Sequence, residues 1–219
     1  VVKINWINSI KDLIRESVNN VDVFLRDKDL VREKIIALTR DIIREAGYAV
    51  TDTHLGKYSD ALSRIKKLHL LNQELRNLLK DHPELLYSNL VYNAVSEYVE
   101  AVIFYNLIAE KKFIGLSDIK VHPVPYLQGM LDVVGELKRH VLDLINANKI
   151  SEAWQYFEIA ESIYEAARVL NYPDPLVPGV RRKVDVARGI IENLRALLVD
   201  LKSRIELVKK LEEVKDLRT

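Results

Sequence analysis

Apolar side chains recur at spacings of three and four along most of this chain, and no strand-like run bounded by turn residues competes with them. Polar interruptions fall at Asp27, at residues 51–56, at "DHP" (81–83), at "GLSDIKVHPVP" (115–125), at "NANK" (146–149) and at "NYPDPLVPG" (171–179). They delimit about seven helices and predict an all-α bundle. Ser151 and Glu152, and Pro175 and Pro178 ahead of the last segment, are residue types favoured at helix starts. That last segment, residues 180–217, carries Leu194, Leu197, Leu201, Ile205, Val208 and Leu211 along one amphipathic stripe. At 1.5 Å per residue it extends on the order of 50 Å, more than a globule of this size covers, so its far end is expected to pack on another subunit.

Composition sharpens this picture. The 219 residues suffice for one buried core, and a single domain over residues 1–219 is expected, without internal repeats or low-complexity tracts. Only 7 glycines and 6 prolines interrupt a chain that is 30% charged and 48% hydrophobic, which favours long helices. The absence of cysteine excludes disulfides, a zinc–thiolate site and a cysteine nucleophile; it is compatible with a reducing interior, and the cytoplasm is the default compartment. Apolar runs such as "AVIFYNLIA" reach half of the ~18 residues a membrane span needs. The opening stretch lacks the apolar block and cleavage site of a secretory signal, although the missing initiator Met leaves room for trimming. With a formal charge of +1, nucleic-acid binding has to come from local patches. One Met, no Cys and abundant Lys, Arg and Glu also suit a thermophile.

Two segments break the simple rule of apolar face and solvated face. In "LVYNAVSEYVEAVIFYNLIA", residues 90–109, apolar side chains lie on nearly every side, as on a buried helix, yet Glu97 and Glu100 share one narrow stripe. Ionised carboxylates in such a setting need a cation, and no basic residue occurs between Leu85 and Glu110. The partner is then a metal ion or a Lys or Arg from another helix, unless the acids face an internal aqueous cavity. In "PYLQGMLDVVGELKRH", residues 125–140, Asp132 and Glu136 stand one turn apart on the polar side of an amphipathic helix. Alone they read as a solvated face, with Glu136 pairing to Arg139 or His140. If the two helices lie side by side, with Gly129 and Gly135 permitting close approach, the four acids form the oxygen-donor set that Mg²⁺ or Mn²⁺ prefers. A ferritin-like di-iron centre needs Glu-x-x-His motifs that neither helix contains.

The order of "SEYVEAVIFYNLI", "VHPVPYLQGMLDVVGELKR" and "YPDPLVPGVRRKVDVARGIIENL" resembles the translin and TRAX proteins over most of the chain. The resemblance implies a seven-helix bundle that assembles into closed, barrel-like octamers, as a homo-oligomer or beside a second, translin-like chain. The TRAX-like branch, which includes archaeal-type members, resembles metal-dependent endoribonucleases, whereas translin lacks part of the acidic set and mainly binds single-stranded RNA or DNA. By this likeness Glu97, Glu100 and Asp132 would be the catalytic, metal-binding acids, with Glu136 a fourth; Asp132 decides the branch. His122 departs from the Thr common at its position in better-known members.

Candidate phosphate contacts are Arg32, Arg40 and Arg44, then Arg64, Lys66 and Lys67, and Arg181, Arg182 and Lys183 at the start of the last helix. Glu33, Asp41 and Glu45 interleave with the first group and favour intrahelical pairing there. Tyr92, Tyr98, Phe104, Tyr105 and Tyr126 could stack on unpaired bases, although on buried helices they are more often core. The five histidines show no metal-ligand spacing; His122 and His140 stay unassigned. Three functions follow for test: a Mg²⁺-dependent endoribonuclease cleaving single-stranded RNA inside an oligomer, a non-catalytic single-stranded RNA or DNA binder, and a structural helical assembly protein.

Overall fold

The computed structural model describes the backbone of residues 2–216 and the side chains of residues 6–213. Seven α-helices and no strand occur among the described residues: α1 (Val2–His54), α2 (Tyr58–Asp81), α3 (Asn89–Tyr105), α4 (Leu116–Ile119), α5 (Pro123–Asn146), α6 (Ile150–Arg168) and α7 (Val180–Asp216). None is long and apolar enough to cross a membrane. The expected last residue of the final helix, Leu217, lies outside the described residues.

The boundaries differ from expectation at two places, Asp27 and the interruption at 115–125. Asp27 does not end a helix: α1 runs through it for 53 residues. Neither Gly nor Pro occurs before Gly47, and Asp is a poor helix former rather than a breaker. Salt bridges from Arg26 to Asp22 (2.7 Å) and from Lys28 to Glu84 (2.6 Å) flank the position. The count of seven is restored by the single turn of α4. At α6, Ser151 and Glu152 lie in the first turn, as their residue types suggested, while Lys149 takes the cap position without a side-chain bond.

Helix α3 lies at the centre. It packs on α1, α2 and α5, and α5 packs in turn on α6 and α7. Val91, Val99, Ile103 and Phe104 of α3 meet Val133, Val134 and Leu137 of α5 in one core. The end of α3 widens into a π-helical turn, Asn106–Glu110, closed by Lys111 in the left-handed region (φ 54°). Before α7, Gly179 takes φ +71° and donates its N–H to Asp174 Oδ1 (3.1 Å), a conformation that glycine adopts without penalty. This fixes the direction in which "RRK" enters the last helix.

Two helical stretches leave the bundle. Ile10, Leu13, Ile14, Val18 and Phe24 of α1 are exposed, as are Ile205, Leu207, Val208 and Leu211 of α7.

Candidate functional site

Gly129 controls how closely α3 and α5 approach. A Cβ there would meet the Ser96 carbonyl oxygen at 2.3 Å and Val99 Cβ at 2.8 Å, so only glycine fits without moving a helix. Gly135, expected to serve the same purpose, has nothing within 4 Å of its Cβ position; it faces open space because it lies on the side of α5 turned from that contact. One turn beyond Gly129, Asp132 accepts a hydrogen bond from Ser96 Oγ (3.1 Å). Ser96 precedes Glu97, so this bond ties the two acidic segments together.

Asp132 also accepts from Lys183 Nζ, delivered by the first turn of α7. Glu136 finds its partner on neither Arg139 nor His140. Its Oε2 lies 2.6 Å from Nε2 of His54, the last residue of α1. The His54 side chain is 2% exposed and its ring packs 4.6 Å from Phe104, so the imidazole is held in place; Nδ1 is buried without a hydrogen-bond partner.

Glu97 and Glu100 have no such partners among the described residues. Burial raises the Glu97 pKa, and the negative charges of Asp132 and Glu136 add to the rise while Lys183 opposes it. Glu100 is pushed up to about 9 by burial, then by Asp132, Glu97 and Glu136, with Lys183 again opposing. All four acids are therefore within electrostatic reach of one another, and the most buried one takes up a proton for lack of positive charge.

This donor set suits a hard divalent ion: it is all carboxylate oxygen, and two of its members, Glu97 and Glu100, are half-buried without a cationic partner among the described residues. The side chains are not drawn in to ligating distance, and no cluster of three His, Asp or Glu residues that could hold a metal ion occurs among the described residues. Lys183 instead supplies the positive charge next to Asp132.

A cavity of about 670 Å³ opens beside Asp132, between α3, α5 and the start of α7; Tyr92, Asn93, Gln128, Arg182 and Lys183 line it. Of the predicted phosphate contacts, Arg182 and Lys183 are thus at the acids, and Arg181 is exposed on the same turn of α7. The others are engaged elsewhere or point to solvent. Arg32 pairs with Glu33 (3.1 Å) and Asp29 (3.7 Å), and Arg44 with Asp41 (2.6 Å), as the interleaved charges suggested. Arg64 bonds Asp52 (2.6 Å) and Glu45 (3.1 Å), and Lys67 bonds Glu45 (2.7 Å). Arg40 and Lys66 are exposed. Tyr92, Tyr98, Phe104, Tyr105 and Tyr126 are all buried. His54 and Ser96 escaped sequence reasoning, because a lone histidine or serine on a helix carries no pattern until its cross-helix neighbour is known.

The Translin family model matches residues 21–205. An uncharacterized protein of Methanocaldococcus jannaschii is 28% identical over 202 residues, which is 91% of this chain and 89% of that protein. Among solved structures, AfC3PO in complex with duplex RNA has 29% identity and a TM-score of 0.79, covering 85% of this chain and 97% of that one. AfC3PO itself has 30% identity and a TM-score of 0.78 over the same shares. Apo-NeC3PO, at 20% identity and a TM-score of 0.74 over 83% of this chain and 95% of that one, shares the fold. With the family model matched over residues 21–205, most of the chain, and the fold shared with AfC3PO, the chain belongs to the Translin family.

Proposed function

We propose that this protein is a metal-dependent endoribonuclease of the TRAX-like branch, cleaving single-stranded RNA with Mg²⁺ or Mn²⁺ inside a cytoplasmic oligomer of the octameric kind. What supports the reading is that Glu97, Glu100, Asp132 and Glu136 are within electrostatic reach of one another on the tightly packed α3–α5 pair, with Asp132 lining a cavity that Arg182 and Lys183 also line. The complex of the similar AfC3PO with duplex RNA supports RNA as the ligand class.

A divalent ion held by the four acids would supply Lewis-acid polarisation of a phosphate and a more acidic water. The chain's own residues do the rest. Arg182 and Lys183 orient a phosphodiester at the cavity wall through charge-assisted hydrogen bonds. Lys183 Nζ is bonded to Asp132 Oδ2 in this arrangement and would be free to donate to a phosphate if Asp132 helped to hold an ion. His54 Nε2 holds Glu136 by its Oε2. Glu97 and Glu100, raised above ordinary carboxylates here, would give up that extra proton on holding an ion, so binding of the ion would depend on pH. No Ser, Cys or His nucleophile is required.

The ion pair between Lys183 and Asp132 favours a second reading, a non-catalytic oligomer that binds single-stranded RNA or DNA, because a neutralised Asp132 needs no metal. A labelled single-stranded RNA incubated with Mg²⁺, Mn²⁺ or EDTA separates the two. Under the nuclease reading the metals support cleavage, EDTA stops it, and Asp132→Asn abolishes it while filter binding in EDTA persists. Cleavage by the Asn variant at the wild-type rate, or salt-sensitive binding with no cleavage in either metal, overturns the nuclease.

A further inference from the structure

A second cavity, of about 300 Å³, lies on the other side of Tyr92 from the acids, between α2, α3 and the entry to α5. Its floor is apolar, with Leu75, Val91 and Val95, and three cations border it: Arg76 and Lys80 from α2, and Lys120 from the turn after α4. An adjoining polar cavity of about 280 Å³ shares Asn72, Arg76 and Lys80 with it. Among the described residues, none of these three cations forms an ion pair with an acid. Asn72 lines both spaces, is 3% exposed, and its buried Oδ1 has no hydrogen-bond partner. A buried amide oxygen left without a donor is destabilising, and a ligand N–H that met it once the carboxamide turned toward the cavity would relieve that cost.

The aromatic wall has a defined polarity. His122 Nδ1 accepts from the Val124 N–H (3.3 Å) and lies 3.3 Å from the Tyr92 hydroxyl, so the ring proton belongs on Nε2 and His122 remains a donor. Tyr87, 66% exposed, stands edge-on to His122, a lining residue, with ring centroids 5.8 Å apart, and so extends the aromatic wall outward. An apolar slot, an aromatic lip, one unsatisfied acceptor and a cationic rim together match a nucleotide: flat base inside, phosphate outside.

We propose that this cavity is a nucleobase pocket that takes one unpaired base of an RNA strand, with the Asn72 carboxamide turning its now buried Oδ1 toward the cavity to accept from the base and Arg76, Lys80 and Lys120 holding the flanking phosphates. The inference rests on the proposed RNA-directed function and adds a subsite to it. Because Tyr92 lines both cavities, a strand can cross from this pocket to the phosphate position at Asp132. Every natural base carries an N–H donor on its Watson–Crick edge, and a duplex conceals that edge. The pocket therefore selects single strands without selecting sequence.

The test is binding of a short labelled single-stranded RNA in EDTA, beside the same strand with abasic riboses and the same strand annealed to its complement. Asn72→Leu and Tyr87→Ala are each expected to weaken binding of the intact strand by about tenfold, within the range for loss of one base contact. Both should leave the abasic and duplex ligands unaffected. The leucine variant removes the unsatisfied oxygen and Tyr87 is exposed, so both should fold, and thermal unfolding verifies it. Equal wild-type affinity for intact and abasic strands overturns the pocket, as does wild-type behaviour of both variants. Tight binding of free adenosine monophosphate together with base-independent strand binding also overturns the strand-bound form. Failure of the nuclease reading is distinguishable, because Asp132→Asn should keep this base dependence even if no variant or metal gives cleavage.

Discussion

Lys183 of α7 donates a hydrogen bond to Asp132 Oδ2 of α5, so the acid on which the proposed cleavage depends already has an organic cation beside it. Both side chains are partly open to solvent, and a divalent ion has to compete with this ammonium. Lys183→Met removes the competitor and leaves four carboxylates with less positive charge among them. In EDTA the variant is expected to unfold at a lower temperature than wild type, and Mg²⁺ should raise its unfolding temperature by more than it raises that of wild type. Thermal unfolding with and without Mg²⁺ measures this. An equal or smaller metal-induced shift in the variant means Lys183 is no stand-in for the ion.

The close approach of α3 and α5 at Gly129 gives a separate prediction. A methyl group there meets backbone rather than a movable side-chain end, with Ser96 O 2.3 Å away. Gly129→Ala is expected to destabilise the fold by about 1–3 kcal/mol through overpacking. It should also lower metal affinity, because separating the helices lengthens the Ser96–Asp132 bond. Gly135→Ala, with nothing within 4 Å, is the control: unchanged or slightly stabilised by its better helix propensity. Urea unfolding of both variants checks the contrast.

Much of this site was legible in the chain. The buried character of α3 and the odd position of Glu97 and Glu100 followed from apolar residues surrounding the acids, and the structure buries Val99, Ile103 and Phe104 around them. Helix α5 was equally readable from its strong segregation of apolar and polar faces. Tertiary pairing was not legible. Glu136 looked like a surface acid because Arg139 and His140 were near in sequence, yet its partner arrives from 82 residues away. Lys183 looked like a phosphate contact, and only the Gly179 turn brings it to Asp132. The Asp27 break failed for a different reason: a charged cluster on an exposed helix resembles a loop in composition, while the backbone there continues through i,i+4 pairing.

His54 makes a test of positioning rather than catalysis. Its imidazole is fixed by burial and by Phe104, and it meets Glu136 at 2.6 Å. Outer partners of this kind change metal affinity by about 10–100-fold when removed. His54→Ala is expected to weaken Mn²⁺ binding, read by direct titration, by at least tenfold, whereas His54→Gln, which retains an N–H near the Nε2 position, should recover part of it. If the alanine variant folds and binds Mn²⁺ as wild type does, Glu136 needs no support from α1.

The exposed apolar residues at both ends of the long helices bear on assembly. Ile10, Ile14 and Phe24 of α1, and Ile205 and Val208 of α7, are all more than one-third exposed in the single chain. Contiguous apolar stripes of this kind mark interaction surfaces. Replacing Ile205 and Val208 together by Glu is expected to shift the protein to smaller species in sedimentation velocity while leaving helical content unchanged. An unaltered sedimentation profile removes the α7 stripe from the interface.

The protonation of Glu100 yields the sharpest dependence on conditions. Its pKa rises from the ordinary 4.5 to about 9, because burial and the charges of Asp132, Glu97 and Glu136 all disfavour the carboxylate. The folded state thus keeps a proton that the unfolded chain releases above 4.5. By linkage, this group's contribution is unaltered below about 4.5 and turns increasingly unfavourable as pH rises toward 9. His140 slopes the other way at acid pH: burial lowers it from 6.5 to about 4, so its neutral form favours folding above 6.5 and that stability is lost as pH falls toward 4. Comparing wild type with Glu100→Gln isolates the first effect. In EDTA the difference in stability should favour the Gln variant increasingly from mildly acid to mildly alkaline buffer, and metal should reverse the order, because only the ionised glutamate ligates and each ion bound displaces its proton. Urea midpoints across that pH range, with and without Mn²⁺, measure both. A pH-independent difference between the two proteins would mean that Glu100 is an ordinary ionised carboxylate, with its charge already balanced within the fold.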